Sequence, residues 1–103
     1  MTPVRGEVWR YTPAVPRPGQ STLRLIVSSD GINRVEELPV VLAVHIVDTD
    51  PGGLLAVAVP PHGWATALTI EPVMRSRLSE HIDSVDAGTL DNVSAALRAA
   101  QDL

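Results

Sequence analysis

The chain contains no cysteine and no lysine, and its aromatic side chains are confined to Trp9, Tyr11 and Trp64. Without cysteine, disulfide scaffolds and thiolate metal sites are excluded. Without lysine there is no amine for general-base or Schiff-base work, so cationic chemistry falls to eight arginines acting by charge stabilisation. The side chains that titrate near neutral pH are His45, His62 and His81. Their spacing matches neither HxxxH nor HExxH, and no zinc site is expected. A Walker-type phosphate loop, a dinucleotide fingerprint and a Gly-x-Ser-x-Gly elbow are also missing. Asp48-Thr49-Asp50-Pro51-Gly52 begins like a calcium loop but lacks the later ligands, so it reads as a turn. The sequence therefore implies no metal and no organic cofactor. The longest apolar run, residues 40–46, is interrupted by His45 and falls far short of the ~20 residues of a membrane span. Residues 1–5 carry no apolar signal segment, and the expectation is a soluble, cytoplasmic protein with no membrane partner.

What is present is enough for one domain, residues 1–103, with 45% hydrophobic residues. Area scaling gives roughly 5,600 Å² folded against about 16,000 Å² unfolded, so a core forms without staples. The net charge of −4 argues against a generic nucleic-acid binder, but the charge is unevenly spread. Arg5, Arg10, Arg17, Arg24 and Arg34 face only Glu7 and Asp30 in the first third, whereas ten acids crowd the remainder. A groove lined by those arginines would focus positive potential whatever the net charge.

Residues 5–11 read as a first strand, on the bulk of Val8, Trp9 and Tyr11. Residues 12–21 hold three prolines and Gly19 and form a loop long enough to be functional. Residues 23–28 are a second strand, with Leu23, Leu25 and Val27 on one face and Arg24, Ile26 and Ser28 on the other. Residues 40–47 are a β-branched apolar run, expected as a central strand buried on both faces. Strands are expected over 54–59 and 65–70, with Pro72 stopping pairing and one or two helical turns over 72–78. From residue 87 the pattern is helical, with Asp86 as N-cap and Leu90, Val93, Leu97 and Ala100 as the apolar stripe. The fold class is mainly β: a small, curved, mostly antiparallel sheet or barrel with a C-terminal helix packed on it.

The order of segments resembles a known family. Arg5-Gly6-Glu7-Val8-Trp9 resembles the RG(D/E)(I/V)W opening of the MazF/PemK toxins. Leu25-Ile26-Val27-Ser28-Ser29-Asp30 with Asn33-Arg34 resembles their LVVSND…NR segment, and Ser76-Arg77-Leu78 their (K/S)RL element. Residues 89–103 resemble their closing helix. The resemblance implies an SH3-like barrel of the CcdB/MazF type, a homodimer, and the toxin half of a type II toxin–antitoxin pair. It implies a metal-independent endoribonuclease acting on single-stranded RNA, in which the 2′-hydroxyl attacks the adjacent phosphate, and a cognate antitoxin peptide as partner.

The family's catalytic pair is an arginine in its RPVLVV segment and a threonine closing its third strand. This chain departs from both, with Thr22 at the arginine position and Val47 at the threonine position. Side chains two apart on a strand share a face, so Arg24 and Thr49 point the same way, displaced by about 6.6 Å. His45 shares the Val47 face. The expected catalytic set is therefore Arg24, His45 and Thr49, stabilising phosphorane charge, moving protons and donating to a phosphoryl oxygen respectively. Arg5, Arg10, Arg17 and Arg34 are expected to hold RNA phosphates. His62, in a Pro-Pro-His-Gly loop, is expected to be exposed and inert, and His81 to be on the surface. The alternative is a non-catalytic or degenerate protein of the same fold that acts by binding an antitoxin, or gyrase as CcdB does. The ending Gln101-Asp102-Leu103 lacks the Trp-Gly-Ile of CcdB-type poisons and disfavours the gyrase form.

Overall fold

The computed structural model describes residues 2–53 and 55–102. Its strands are β1 (Glu7–Tyr11), β2 (Leu23–Ile26), β3 (Val40–Val47), β4 (Ala56–Ala58), β5 (Trp64–Thr66), β6 (Glu71–Met74) and β7 (Leu78–Ser84). A one-turn helix α1 (Asp30–Asn33) follows β2, 3-10 turns span Ala67–Thr69 and Arg75–Arg77, and α2 (Ala87–Gln101) closes the chain. All pairings are antiparallel, in the order β4-β5-β3-β2-β1-β7, with β6 also on β3.

β3 is the central strand, as its apolar run demands, and it covers residues 40–47 as expected. One edge pairs with β2, and the other pairs with β6 over its first half and β5 at its end. Where the partner changes, the Ala67–Thr69 turn fills the gap: the His45 amide donates to Thr69 Oγ1 at 2.9 Å. The two faces of the sheet build separate cores. Val8, Leu25, Val27, Val44 and Ile46 pack with Val93, Ala96 and Leu97 of α2. Trp9, Ile26, Val41 and Ala43 pack with Val73 and Leu78 on the other side. Alternation along β1, β2 and β3 thus places Tyr11, Arg24 and His45 on the second face, beyond its apolar part.

Several expectations need correction. Pro72 does not stop pairing: it sits in β6 opposite Leu42, tolerated because β6 is short and pairs only with β3. The helical turns expected over 72–78 shrink to Arg75–Arg77. β7, not anticipated, is long but exposed along most of its length, so no apolar alternation marked it. The strands expected over 54–59 and 65–70 are shorter, β5 giving way to a 3-10 turn after Thr66. Leu54 lies outside the described residues, as do Met1 and Leu103. In α2 the Asp86 side chain caps Thr89 N at 2.7 Å, but Ala96 replaces Ala100 on the buried stripe. The sheet is open rather than a closed barrel. Its two ends are drawn together where His62, in the β4–β5 connection, bonds Asp83 of β7 at 2.8 Å.

Candidate active site at the end of the β2–β3 ladder

In the β2–β3 register Arg24 stands directly opposite His45. Both turn to one carboxylate. Glu71 Oε1 lies 2.8 Å from His45 Nε2 and 3.4 Å from Arg24 Nε. Arg24 is 1% exposed, an unusual depth for a guanidinium. Its Nη1 donates to the carbonyls of Ser21 and Leu23 at 2.9 and 3.0 Å, and its Cζ lies 4.5 Å from the centre of the Tyr11 ring. Burial pulls the guanidinium below its ordinary value, while the charge of Glu71 and the side chain of Tyr11 oppose that shift. The fork thus needs the carbonyls and the carboxylate around it to remain charged at this depth. Glu71 and Tyr11 were missed in the sequence because nothing in their local pattern shows that β6 and β1 bring them to β2.

Beside this cluster runs a groove of about 540 Å³, lined by residues 19–23, by His45 to Asp48 and by His62. Thr22 and Val47, the positions of the two departures, both line it. The chain is forced close at that end of β3. Gly63 has φ +126°, and a Cβ there would lie 2.0 Å from the Val47 carbonyl oxygen. This close approach carries the neighbouring His62 to the groove. The His62 side chain is 16% exposed and bonded to Asp83, so it is not the freely exposed residue expected from its loop. That hydrogen bond is the largest of the effects holding the Asp83 carboxyl below the usual range. His81, on the surface as expected, stacks on Trp9 and lies 3.4 Å from Glu7.

The structure brings Arg24 and His45 together and leaves Thr49 out. Pairing of β3 ends at Val47, so strand alternation lapses before Thr49, which is exposed in the turn with Oγ1 3.3 Å from Asp48 Oδ1. The arginines expected along one groove are also separated. Arg5 donates from its guanidinium to Ser94 on α2, and its amide bonds Asp30 at the far end of β2. Arg34 caps α1 at that same end. Arg10 alternates onto the Val8 face and pairs with Glu80 at 3.3 Å. Arg17 is exposed in the connection between β1 and β2, two residues before the groove lining starts at Gly19.

The residues that carry the family resemblance hold the backbone. Glu7 Oε1 accepts from Val4 N at 2.6 Å and Trp9 Nε1 at 3.0 Å. Buried Asn33 donates to the Ser28 carbonyl and to Asp30, and Ser28 Oγ accepts from Leu42 N. Ser29 caps α1. Among the described residues no group of three or more acidic or histidine side chains is arranged to hold a metal ion, and no helix is long and apolar enough to cross a membrane.

No protein-family model and no curated protein matches the chain. Solved structures do. An endoribonuclease from a mycobacterial species is 28% identical, with a TM-score of 0.84 over 100% of this chain and 94% of that one. A mycobacterial endoribonuclease in complex with its cognate antitoxin is also 28% identical, with a TM-score of 0.84 over 98% and 96%. MazF from Deinococcus radiodurans, at 22% identity, superposes with a TM-score of 0.79 over 100% and 99%, a likeness of fold. From its first strand to its closing helix, the chain has the MazF-type fold.

Proposed function

We propose that this protein is the toxin of a type II toxin–antitoxin pair, a cytoplasmic homodimer that cleaves single-stranded RNA without a metal ion and is neutralised by an antitoxin peptide. The structural neighbours described as endoribonucleases, one of them bound to its cognate antitoxin, support the class of activity. The observation that carries the catalytic reading is the pairing of Arg24 with His45 across the ladder, on one carboxylate and beside the groove.

In this reading the substrate phosphate lies in the groove at Thr22. The ribose 2′-hydroxyl attacks phosphorus, and the 5′-oxygen leaves. Arg24, buried beside the groove with Nη1 anchored on two carbonyls, stabilises the charge that develops on the phosphorane through its fixed positive field. His45, oriented by Glu71, moves a proton. Thr22 replaces Thr49 as the hydroxyl donor, because it lines the groove and Thr49 does not. Of the five arginines, Arg17 is exposed just before the groove lining starts and Arg24 lies buried beside it, whereas Arg5, Arg10 and Arg34 lie elsewhere.

The test is cleavage of a long single-stranded RNA by the purified protein in EDTA, with the 5′-ends of the products mapped. Fragments with 5′-hydroxyls are expected. Arg24→Lys keeps a charge but loses the fork, and its cleavage rate is expected to fall by about 10²-fold or more. The replacements at Thr22 and Val47 favour a second reading, a binding protein that has lost catalysis. A folded dimer that leaves RNA intact in this assay would establish that reading.

A further inference from the structure

We infer that His62 is the second half of an acid–base pair with His45, the two imidazoles acting from one groove lining on one phosphodiester. The inference rests on the endoribonuclease reading and deepens it. Both histidines line the groove, one from the end of β3 and one from the β4–β5 connection. Each is oriented by a carboxylate from a different strand, His45 by Glu71 of β6 and His62 by Asp83 of β7, both at 2.8 Å through Nε2. With Nε2 taken in both rings, Nδ1 is the nitrogen left for substrate. On the same lining, Gln20 Oε1 is buried without a hydrogen-bond partner among the described residues. An acceptor in that state awaits a donor, which a ribose hydroxyl or a base amine supplies.

The roles divide on charge. Glu71 is shared with Arg24, whose guanidinium already compensates that carboxylate. Asp83 is not shared with an arginine, and its carboxylate faces His62 directly. His45 therefore serves as base and His62 as acid. His45 takes the proton of the 2′-hydroxyl as the O2′–P bond forms. The P–O5′ bond breaks, and O5′ leaves with the proton of His62. The products are a 2′,3′-cyclic phosphate and a 5′-hydroxyl, and the histidines are left with their protons exchanged. Gly63 is what permits this, since a side chain there would strike the Val47 carbonyl and push His62 off the groove.

The experiment compares two oligonucleotides, one with the natural 5′-oxygen leaving group and one with a bridging 5′-sulfur, which departs without protonation. His62→Gln retains a donor for Asp83 and cannot serve as an acid. It is expected to lose about 100-fold or more on the oxygen substrate and to recover most of that loss on the sulfur substrate. His45→Gln is expected to be slow on both. Asp83→Asn is expected to show a smaller loss with the same selective rescue. Thermal denaturation of each variant separates lost folding from lost chemistry, and His62→Asn serves where His62→Gln does not fold. Wild-type cleavage with His62→Gln equally fast would overturn the pairing alone, as would an equal loss on both substrates. No cleavage by the wild type would overturn the pairing together with the endoribonuclease reading.

Discussion

A guanidinium at 1% exposure is the residue on which the site turns. In water an arginine costs nothing to ionise; here it keeps its charge because Glu71, two carbonyls and the Tyr11 face surround it. Removing one partner of such a pair leaves the other short of compensation. Glu71→Gln retains an oxygen to accept from His45 but deletes the negative charge facing Arg24. Unfolding in urea is expected to show a loss of about 1–2 kcal/mol, below the ~3–5 kcal/mol of a fully buried pair because the Glu71 side chain is 40% exposed. An unchanged midpoint would mean that the carbonyls and Tyr11 alone hold the charge. Arg24 and His45 were legible in the sequence, since strand alternation puts both on one face. Glu71 and Asp83 were not, because they come from strands whose pairing no local pattern announces. The half-buried place of His62 is hidden for a related reason: a Pro-Pro-His-Gly loop reads as exposed unless the contact of Gly63 with Val47 is known.

At the scale of elements, β3 and α2 were the most legible, one from an uninterrupted β-branched run and the other from its cap and 3.6-residue period. β7 and β6 were not, since an exposed strand shows no alternation and a proline reads as a stop. The cap of α2 yields a measurable consequence. Accepting the Thr89 amide lowers the Asp86 carboxyl below its ordinary value of 3.8. A folded-state value below the unfolded one means that the unfolded chain binds more protons through this window, so stability rises with pH across it. The contribution of the cap is complete above the ordinary carboxylate value and is lost as pH falls through the lower folded value. Asp30, held down first by the Arg5 amide, acts in the same direction. Asp86→Asn caps the helix comparably but does not titrate. Thermal midpoints recorded from about pH 6 down to about pH 2 are expected to fall less steeply for Asp86→Asn than for the wild type. Parallel curves would assign acid sensitivity to the other carboxylates.

For the whole molecule, the proposed function poses the question of how a chain of net charge −4 would hold a polyanion. The sequence offered five arginines in its first third, and a single groove along them would neutralise five phosphates. The fold distributes them instead. Arg5 and Arg34 are fixed at the α1 end of β2, Arg10 is paired with Glu80, Arg24 is buried against Glu71, and Arg17 is left exposed beside the groove lining. Counterion release converts that geometry into a number. Each phosphate neutralised on a single strand contributes a slope of about −0.7 to log K against log salt, so one contact, at Arg17, predicts about −0.7 and five about −3.5 per protomer. Titration of a short, non-cleavable 2′-deoxy oligonucleotide at several salt concentrations measures this directly. The shallow slope is expected, and Arg10→Ala is expected to leave it unchanged because Arg10 is on another face. A slope near −3.5 would mean that a second protomer, or the bound strand, gathers the arginines that one protomer keeps apart. In the proposed function the shallow slope also leaves a task for an antitoxin: with so few cations at the groove, its affinity would come mainly from apolar and hydrogen-bonded contacts, and its complex with this protein is expected to survive salt that releases RNA.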